Sequence, residues 1–312
     1  MGKGASVSKR QLEGAAAAEA AAPAAAPVAV AAPESDSPES QRQQTRVAIW
    51  ANPRSLSTAL LRSWGSRPDV AATDEPLYAA FLCATGRTDH PISKKIVEAL
   101  ETDAATVIDE LTERPIPDGK PVWVQKHMCH HLLPAMGTSW ILKLNNFFLI
   151  RDPSQLLTSL MKQLSGDPTI LDTGLPQMLE LFNMLREKTG TVPLVVDSRD
   201  IQQDPEAMLR LMCAEMGVAF TPEMLSWSPG PKSWDHMQAP HWYGSVTATT
   251  CFAPFKLKEE RVPPRLEGLL RECEEIYSQL YKFRRTAADG GGAKKARVEQ
   301  PEEAGAAAAT AQ

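Results

Sequence analysis

The sequence predicts an α/β fold of three layers, with a central parallel sheet of about five strands between helices. Three observations predict it. Short continuous apolar runs alternate with stretches of helical periodicity, as in parallel strands buried on both faces. Polar residues follow each apolar run at once, at the carboxyl ends of strands, where open α/β sheets collect ligands. A chain of 312 residues with 43% hydrophobic side chains also has enough apolar surface for one sizeable core.

The first strand is read over Val47 to Ala51, leading through Asn52-Pro53-Arg54 into a helix from Ser57 to Gly65. The second, Val70 to Thr73, ends at Asp74-Glu75, and helices are expected over Lys94 to Leu100 and Ala104 to Thr112. The third, Val122 to Gln125, is followed by Lys126-His127. The fourth, Phe147 to Ile150, delivers Arg151-Asp152, then helices over Ser154 to Leu164 and Leu175 to Lys188. The fifth, Pro193 to Val196, ends at Asp197 before a helix from Pro205 to Met216. Leu266, Leu269, Leu270, Cys273, Ile276 and Leu280 recur at helical spacing, which predicts a closing amphipathic helix over Pro264 to Arg284.

Both ends differ from the middle. Residues 1–44 are rich in Ala and Pro, and residues 287–312 pass through a Gly run into low complexity. Neither buries enough apolar surface to offset the entropy of ordering it, so both are expected to be disordered around a domain over 45–286. The net charge of −5 argues against a nucleic-acid-binding surface. Five cysteines without a C-x-x-C pair argue against a zinc knuckle or a disulfide framework and for a reducing, cytoplasmic setting. No apolar run approaches the ~18 residues of a membrane span. MGKGAS fits the acceptor pattern for N-myristoylation at Gly2. One acyl chain with Lys3, Lys9 and Arg10 gives only marginal anchoring, hence weak membrane association.

VAIWANPRSLSTALLRSW, Val47 to Trp64, has the layout of an anion-binding P-loop. A strand that turns into a helix aims backbone N–H groups and the positive end of the helix dipole at one point. Pro53 shapes the turn, while Arg54, Ser55, Ser57 and Thr58 add charge and hydroxyl groups. Leu56-Ser57-Thr58 stands where a Walker loop carries Gly-Lys-Ser/Thr, so the phosphate-reaching lysine is missing and a nucleotide kinase or hydrolase is disfavoured. In NFFLIRDPSQLLTSLMKQ, Asn146 to Gln163, Arg151 ends a strand and Ser159 lies about two turns into the next helix. An arginine and a serine so placed can meet at one anion. Taken alone, the pair reads equally as Arg151 bound to Asp152 or Asp197 and Ser159 on a helix surface.

Together, the strand–PRSxST–helix and strand–RDPxxxxxS–helix units resemble the sulfotransferases that use 3′-phosphoadenosine 5′-phosphosulfate. Arg54 is similar to the Pro-Arg-Ser-Gly-Ser-Thr loop of the carbohydrate-type and bacterial branches. Val195 to Val218 resembles the family's later strand, Asp-Pro turn and helix, and HWYGSVTATTCF, His241 to Phe252, is similar to a segment of an uncharacterised sulfotransferase-like group. The resemblance implies a P-loop NTPase-like sheet, 3′-phosphoadenosine 5′-phosphosulfate as co-substrate, a small-molecule or glycan acceptor and no metal. It places the 5′-phosphosulfate at Pro53, Arg54, Ser55, Ser57 and Thr58, and the 3′-phosphate at Arg151 and Ser159. Arg54 would serve the bridging oxygen and Lys126 the equatorial sulfuryl oxygens. Glu75 and His127 are nearly equal candidates for the general base, with His130 or His131 behind them.

Two departures keep a catalytically silent nucleotide-binding or scaffold domain open as the alternative. Leu56 stands where the family has Gly, and the basic segment that closes over the 3′-phosphate is not recognisable, with Lys232, Lys256 and Lys258 as stand-ins. Trp227, Trp234, Trp242 and Tyr243 fit either an acceptor pocket or a packed loop, and Asp197 fits either a ribose contact or a structural ion pair.

Overall fold

A computed structural model describes residues 44–257 and 261–291. The expected terminal segments, except for residue 44 and residues 287–291, lie outside them, as do Gly2 and Lys258. Five strands form one sheet in the order β2-β3-β1-β4-β5: β1 Thr45–Ala51, β2 Val70–Asp74, β3 Val122–Met128, β4 Asn145–Ile150 and β5 Leu194–Asp197. Every neighbouring pair is parallel. The helices are α1 Ser57–Gly65, α2 Tyr78–Thr85, α3 Ser93–Ala99, α4 Ala104–Thr112, α5 Pro153–Leu160 and α6 Ile170–Thr173, then α7 Leu175–Thr189, α8 Ser198–Gln203, α9 Pro205–Met216, α10 Ala239–Trp242, α11 Gly244–Thr247 and α12 Glu267–Tyr281. Among the described residues, no helix is long and apolar enough to cross a membrane.

β1 is central, and Val47, Ala48, Ile49, Trp50 and Ala51 are wholly buried, as a run covered on both faces requires. Alternation along the strands splits the core in two. Val47, Ile49, Val124 and Leu149 face α1 and α9, while Ala48, Trp50, Trp123 and Phe148 face α4, α7 and α12. From β3 the chain crosses to β4 on the other side of β1, so the topological switch point sits at the carboxyl end of β1.

Besides the short helices α6, α8, α10 and α11, three differences from expectation stand out. β3 runs on to Met128 because Ile49, Trp50 and Ala51 pair with Lys126, His127 and Met128. Lys126 and His127 therefore lie within the strand rather than after it, on opposite faces. α5 stops at Leu160, short of Leu164, ahead of Gly166-Asp167-Pro168. α2 was not expected: YAAFLCAT is apolar on all sides and shows no period, and Tyr78 to Leu82 are buried. The closing helix is found as α12, with a 3-10 turn over Pro264–Leu266 ahead of it.

Candidate functional site

A cavity of about 250 Å³ opens at the carboxyl end of β1. β1 feeds it through Asn52, whose Nδ2 donates to Thr173 O at 2.8 Å. The buried Ser55 hydroxyl donates to Asn52 O at 2.6 Å, so it closes the turn and does not face a ligand. Arg54 (φ 63°) and Leu56 (φ 77°) both adopt the left-handed conformation, and Leu56 is the N-cap of α1 without a side-chain cap bond. Such an alternation of hands forms anion-binding nests, and the first N–H groups of α1 are left for a ligand. Pro53, Ser57 and Thr58 line the same cavity.

The left-handed conformation costs a residue with a Cβ about 1–2 kcal/mol. Glycine at 56 would remove that strain but also the packing of Leu56 against the α1 core. Leu56→Gly is therefore expected to melt within a few degrees of the parent, and β-branched Leu56→Val clearly below both, in thermal unfolding followed by circular dichroism.

The second motif arrives from β4. Asp152 caps α5 through Gln155 N–H (3.0 Å), and Arg151 donates to Arg54 O and, at 3.1 Å, to Gln155 Oε1. Arg54 Nε donates to Ser159 Oγ at 3.1 Å and its Nη1 to Trp242 O at 3.0 Å. Arg54, Arg151 and Ser159 thus meet across 105 residues of sequence. Burial pulls both guanidinium groups below their ordinary pKa, and Arg54 adds to the effect on Arg151. Among the described residues, neither arginine forms an ion pair with a carboxylate. Asp197 makes no ion pair with Arg151 and accepts instead from Tyr277 Oη (2.6 Å) and Arg199 N–H (2.7 Å).

The opposite wall is a buried charge cluster. Lys126 Nζ lies 2.6 Å from Asp74 Oδ1, 2.9 Å from Glu75 Oε1, 3.1 Å from Tyr243 Oη and 3.3 Å from Thr58 Oγ1. Tyr243 Oη is 2.6 Å from Asp74 Oδ2 and 3.0 Å from Glu75 Oε1, and its single proton serves the nearer oxygen. Burial opposes charge on Lys126, but the two carboxylates outweigh it and hold its pKa above the ordinary lysine value. Burial likewise opposes charge on Glu75, but Lys126 prevails and keeps its pKa low, whereas burial wins at Asp74 and raises it. Glu75 reaches the cavity, again with a left-handed backbone (φ 47°).

Besides Ser55, two expected site residues are not brought to the cavity. Lys126 is fully buried and committed to Asp74 and Glu75, which leaves it no reach to a sulfuryl group and makes it the anchor of Glu75. His127 points to the other face of the sheet, stacked on Trp50 at 4.6 Å, and burial lowers its pKa to about 3. The strand period of two, extended by the longer β3, puts these neighbours on opposite sides. His130 does line the cavity from the 3-10 turn Cys129–His131; burial lowers its pKa to about 4, so it is neutral at pH 7. His131 stacks on Tyr78 at 4.7 Å.

Of the aromatic cluster, Trp242 and Tyr243 line the cavity, while Trp227 packs edge-on against Phe252 and Trp234 lies over Arg62. Lys232 binds Ser228 O at 2.7 Å and lies outside the cavity lining, as does Lys256. The sequence reading missed Tyr78 and His90, whose Tyr78 Oη to His90 Nδ1 contact of 2.7 Å closes one side. Asp-Glu-Pro-Leu-Tyr after β2 carried the only signal: Tyr78 N–H donates to Glu75 O at 3.0 Å, the first bond into α2. No group of three or more His, Cys, Asp or Glu among the described residues is arranged to hold a metal ion.

The family model for the sulfotransferase domain matches residues 45–272. Two Arabidopsis thaliana proteins, branched-chain-amino-acid aminotransferase-like proteins 2 and 1, are 32% and 33% identical over 75% of this chain. The chain spans only 41% of their length. A sulfotransferase from Alicyclobacillus acidocaldarius aligns in structure over 78% of this chain and 98% of its own, with 12% identity and a TM-score of 0.48. With most of the described domain inside the family model, the chain belongs to the sulfotransferase-domain family of enzymes.

Proposed function

We propose that this chain moves a sulfuryl group from 3′-phosphoadenosine 5′-phosphosulfate to a hydroxyl or amine of a small-molecule or glycan acceptor. The observation that carries the reading is the convergence of Arg54 and Arg151, neither paired with a carboxylate, beside the uncapped N-terminus of α1. Two partly buried cations and free helix N–H groups in one cavity fit a substrate with an anion at each end. The 5′-phosphosulfate sits on the backbone of residues 53–58 with the Ser57 and Thr58 side chains, and Arg151 and Ser159 take the 3′-phosphate. Ser55 contributes only its N–H.

The acceptor oxygen or nitrogen attacks sulfur in line, forming the new bond to sulfur as the bond from sulfur to the bridging oxygen breaks. The electron pair leaves with the 5′-phosphate, where Arg54 offsets the developing charge. Glu75, ionised at neutral pH and held by Lys126, takes the acceptor proton. In a loose transition state, position matters more than the strength of that base. We also place the enzyme in the cytoplasm: all five cysteines are free, which suits a reducing compartment.

Calorimetric titration with 3′,5′-adenosine bisphosphate, with 5′-AMP and ATP in parallel, tests the reading. The bisphosphate should bind at least about tenfold tighter than 5′-AMP, one charge-assisted contact being worth about 1.5–3 kcal/mol, and Arg151→Ala should bring the two level. A preference for ATP would point to phosphoryl chemistry. Failure of all three to bind would leave the silent scaffold domain that Leu56 first suggested.

A further inference from the structure

A second cavity, of about 700 Å³, opens between the end of β2, α4 and the turn Arg114–Pro117. It is larger than the first, and Glu75 lines both. No residue of the two sequence motifs contributes to it. Its floor is apolar, built from Leu100, Val107, Leu111 and Trp123. Its charged lining beyond Glu75 consists of Glu101, Glu110 and Arg114. Arg114 is engaged with Asp109 at 3.0 Å. One oxygen of Glu101 accepts the N–H groups of Thr102 and Asp103, each at 2.8 Å, which leaves its charge uncancelled by a cation. Glu110 makes no ion pair or hydrogen bond among the described residues.

We propose that this second cavity is the acceptor site and that the acceptor is a cationic amine with an apolar body, its ammonium lying against Glu101 and Glu110 and its hydroxyl reaching Glu75. The proposal rests on the sulfotransferase reading, because Glu75 lines both cavities. The nucleotide cavity is lined by α1 and the second cavity by α4, and the carboxylate that takes the proton is common to both. The hydroxyl oxygen bonds to sulfur as the bond from sulfur to the bridging oxygen breaks; its proton passes to Glu75 and the electron pair stays with the bisphosphate in the first cavity. The apolar floor accounts for an aliphatic or aromatic body, since burying a ring against Leu111 and Trp123 supplies affinity without direction. The glutamates supply the direction: an anionic acceptor meets two uncompensated negative charges, a neutral one meets no attraction, and a cation pairs with both.

Three phenols of one shape and different charge separate these cases: tyramine, 4-ethylphenol and 4-hydroxyphenylacetate. Their binding to the full chain, with and without 3′,5′-adenosine bisphosphate, is measured by ligand-observed NMR and calorimetry. Tyramine is expected to bind best and 4-hydroxyphenylacetate worst. In Glu101→Gln/Glu110→Gln the advantage of tyramine over 4-ethylphenol should fall by about three- to fivefold per glutamate, the range of a partly exposed ion pair. Val107→Trp, which fills the floor, should weaken all three while leaving bisphosphate binding unchanged. Equal binding of the three phenols, a preference for the carboxylate, binding of none, or an unchanged tyramine advantage in the glutamine variant would each overturn the proposal. The bisphosphate titration reports separately on the sulfotransferase reading, since its failure with tyramine selectivity intact would condemn the nucleotide site and not the second cavity.

Discussion

Arg54→Ala is expected to slow sulfuryl transfer by about 10²–10³-fold, the loss that follows removal of one preorganised donor aimed at developing charge. The side chain spans the two motifs, with Nε on Ser159 and Nη1 on the Trp242 carbonyl, so it is held in place before any substrate arrives. Neither partner is charged, and both bonds can be exchanged for oxygens of a phosphosulfate at little cost. Alanine keeps the Cβ at φ 63° and therefore leaves the backbone strain of the loop unchanged. The fold should survive: thermal unfolding within about 2–4 °C of the parent, a loss of roughly 1 kcal/mol, is the control. The rate is read as kcat/KM for 3′-phosphoadenosine 5′-phosphosulfate, with the affinity for 3′,5′-adenosine bisphosphate measured alongside. A variant that keeps most of its turnover would remove Arg54 from the chemistry and hand the leaving phosphate to the helix N-terminus alone.

The strands and the two anion-binding motifs were legible because local chemistry dictates both. A buried parallel strand must be apolar throughout, and β1 is wholly buried from Val47 to Ala51. A strand that turns into a helix at Pro-Arg-Ser and one that ends in Arg-Asp-Pro carry their geometry with them, but Ser159, expected beside Arg151, bonds Arg54 instead. What was not legible depends on pairing partners. The end of β3 was placed at Gln125 because Lys126 and His127 read as a polar turn. The register with β1 carries the strand through this pair to Met128. That extension sends His127 behind the sheet against Trp50, while Glu75 lines the cavity. Ser55 looked like a ligand and is a turn closure, a difference set by one bond to Asn52 O. Tyr243 was visible as an aromatic in a long loop, but its bond to Asp74 spans 169 residues, beyond any local pattern.

Lys126→Met should be the most destabilising single change at the site, by about 3–5 kcal/mol at pH 8, because it leaves two buried carboxylates without their cation. Asp74 and Lys126 are wholly inaccessible to solvent, and the Glu75 side chain is only 11% exposed, so water cannot replace the lost charge. For a domain of this size the loss corresponds to roughly 10 °C in melting temperature. The deficit should depend on pH in a definite direction. In the parent, Lys126 holds the Glu75 pKa below its ordinary 4.5, so the contribution of Glu75 is present above that value and fades only as pH falls through the lower, folded pKa. In the variant, burial and mutual repulsion push both carboxylates above their unfolded values of 3.8 and 4.5. The folded variant then binds protons that the unfolded chain does not, and its stability relative to the parent must rise as pH falls from 8 toward 5. Asp74→Asn added to Lys126→Met removes one of the two stranded charges and should recover a large part of the loss at pH 8, with a flatter pH profile. Urea unfolding of parent, single and double variants at pH 5 and pH 8 measures all of this. A deficit equal at both pH values would mean that Lys126 stabilises the fold through its ammonium over the Tyr243 ring rather than through the two carboxylates, and that Glu75 owes its place at the cavity to the backbone alone.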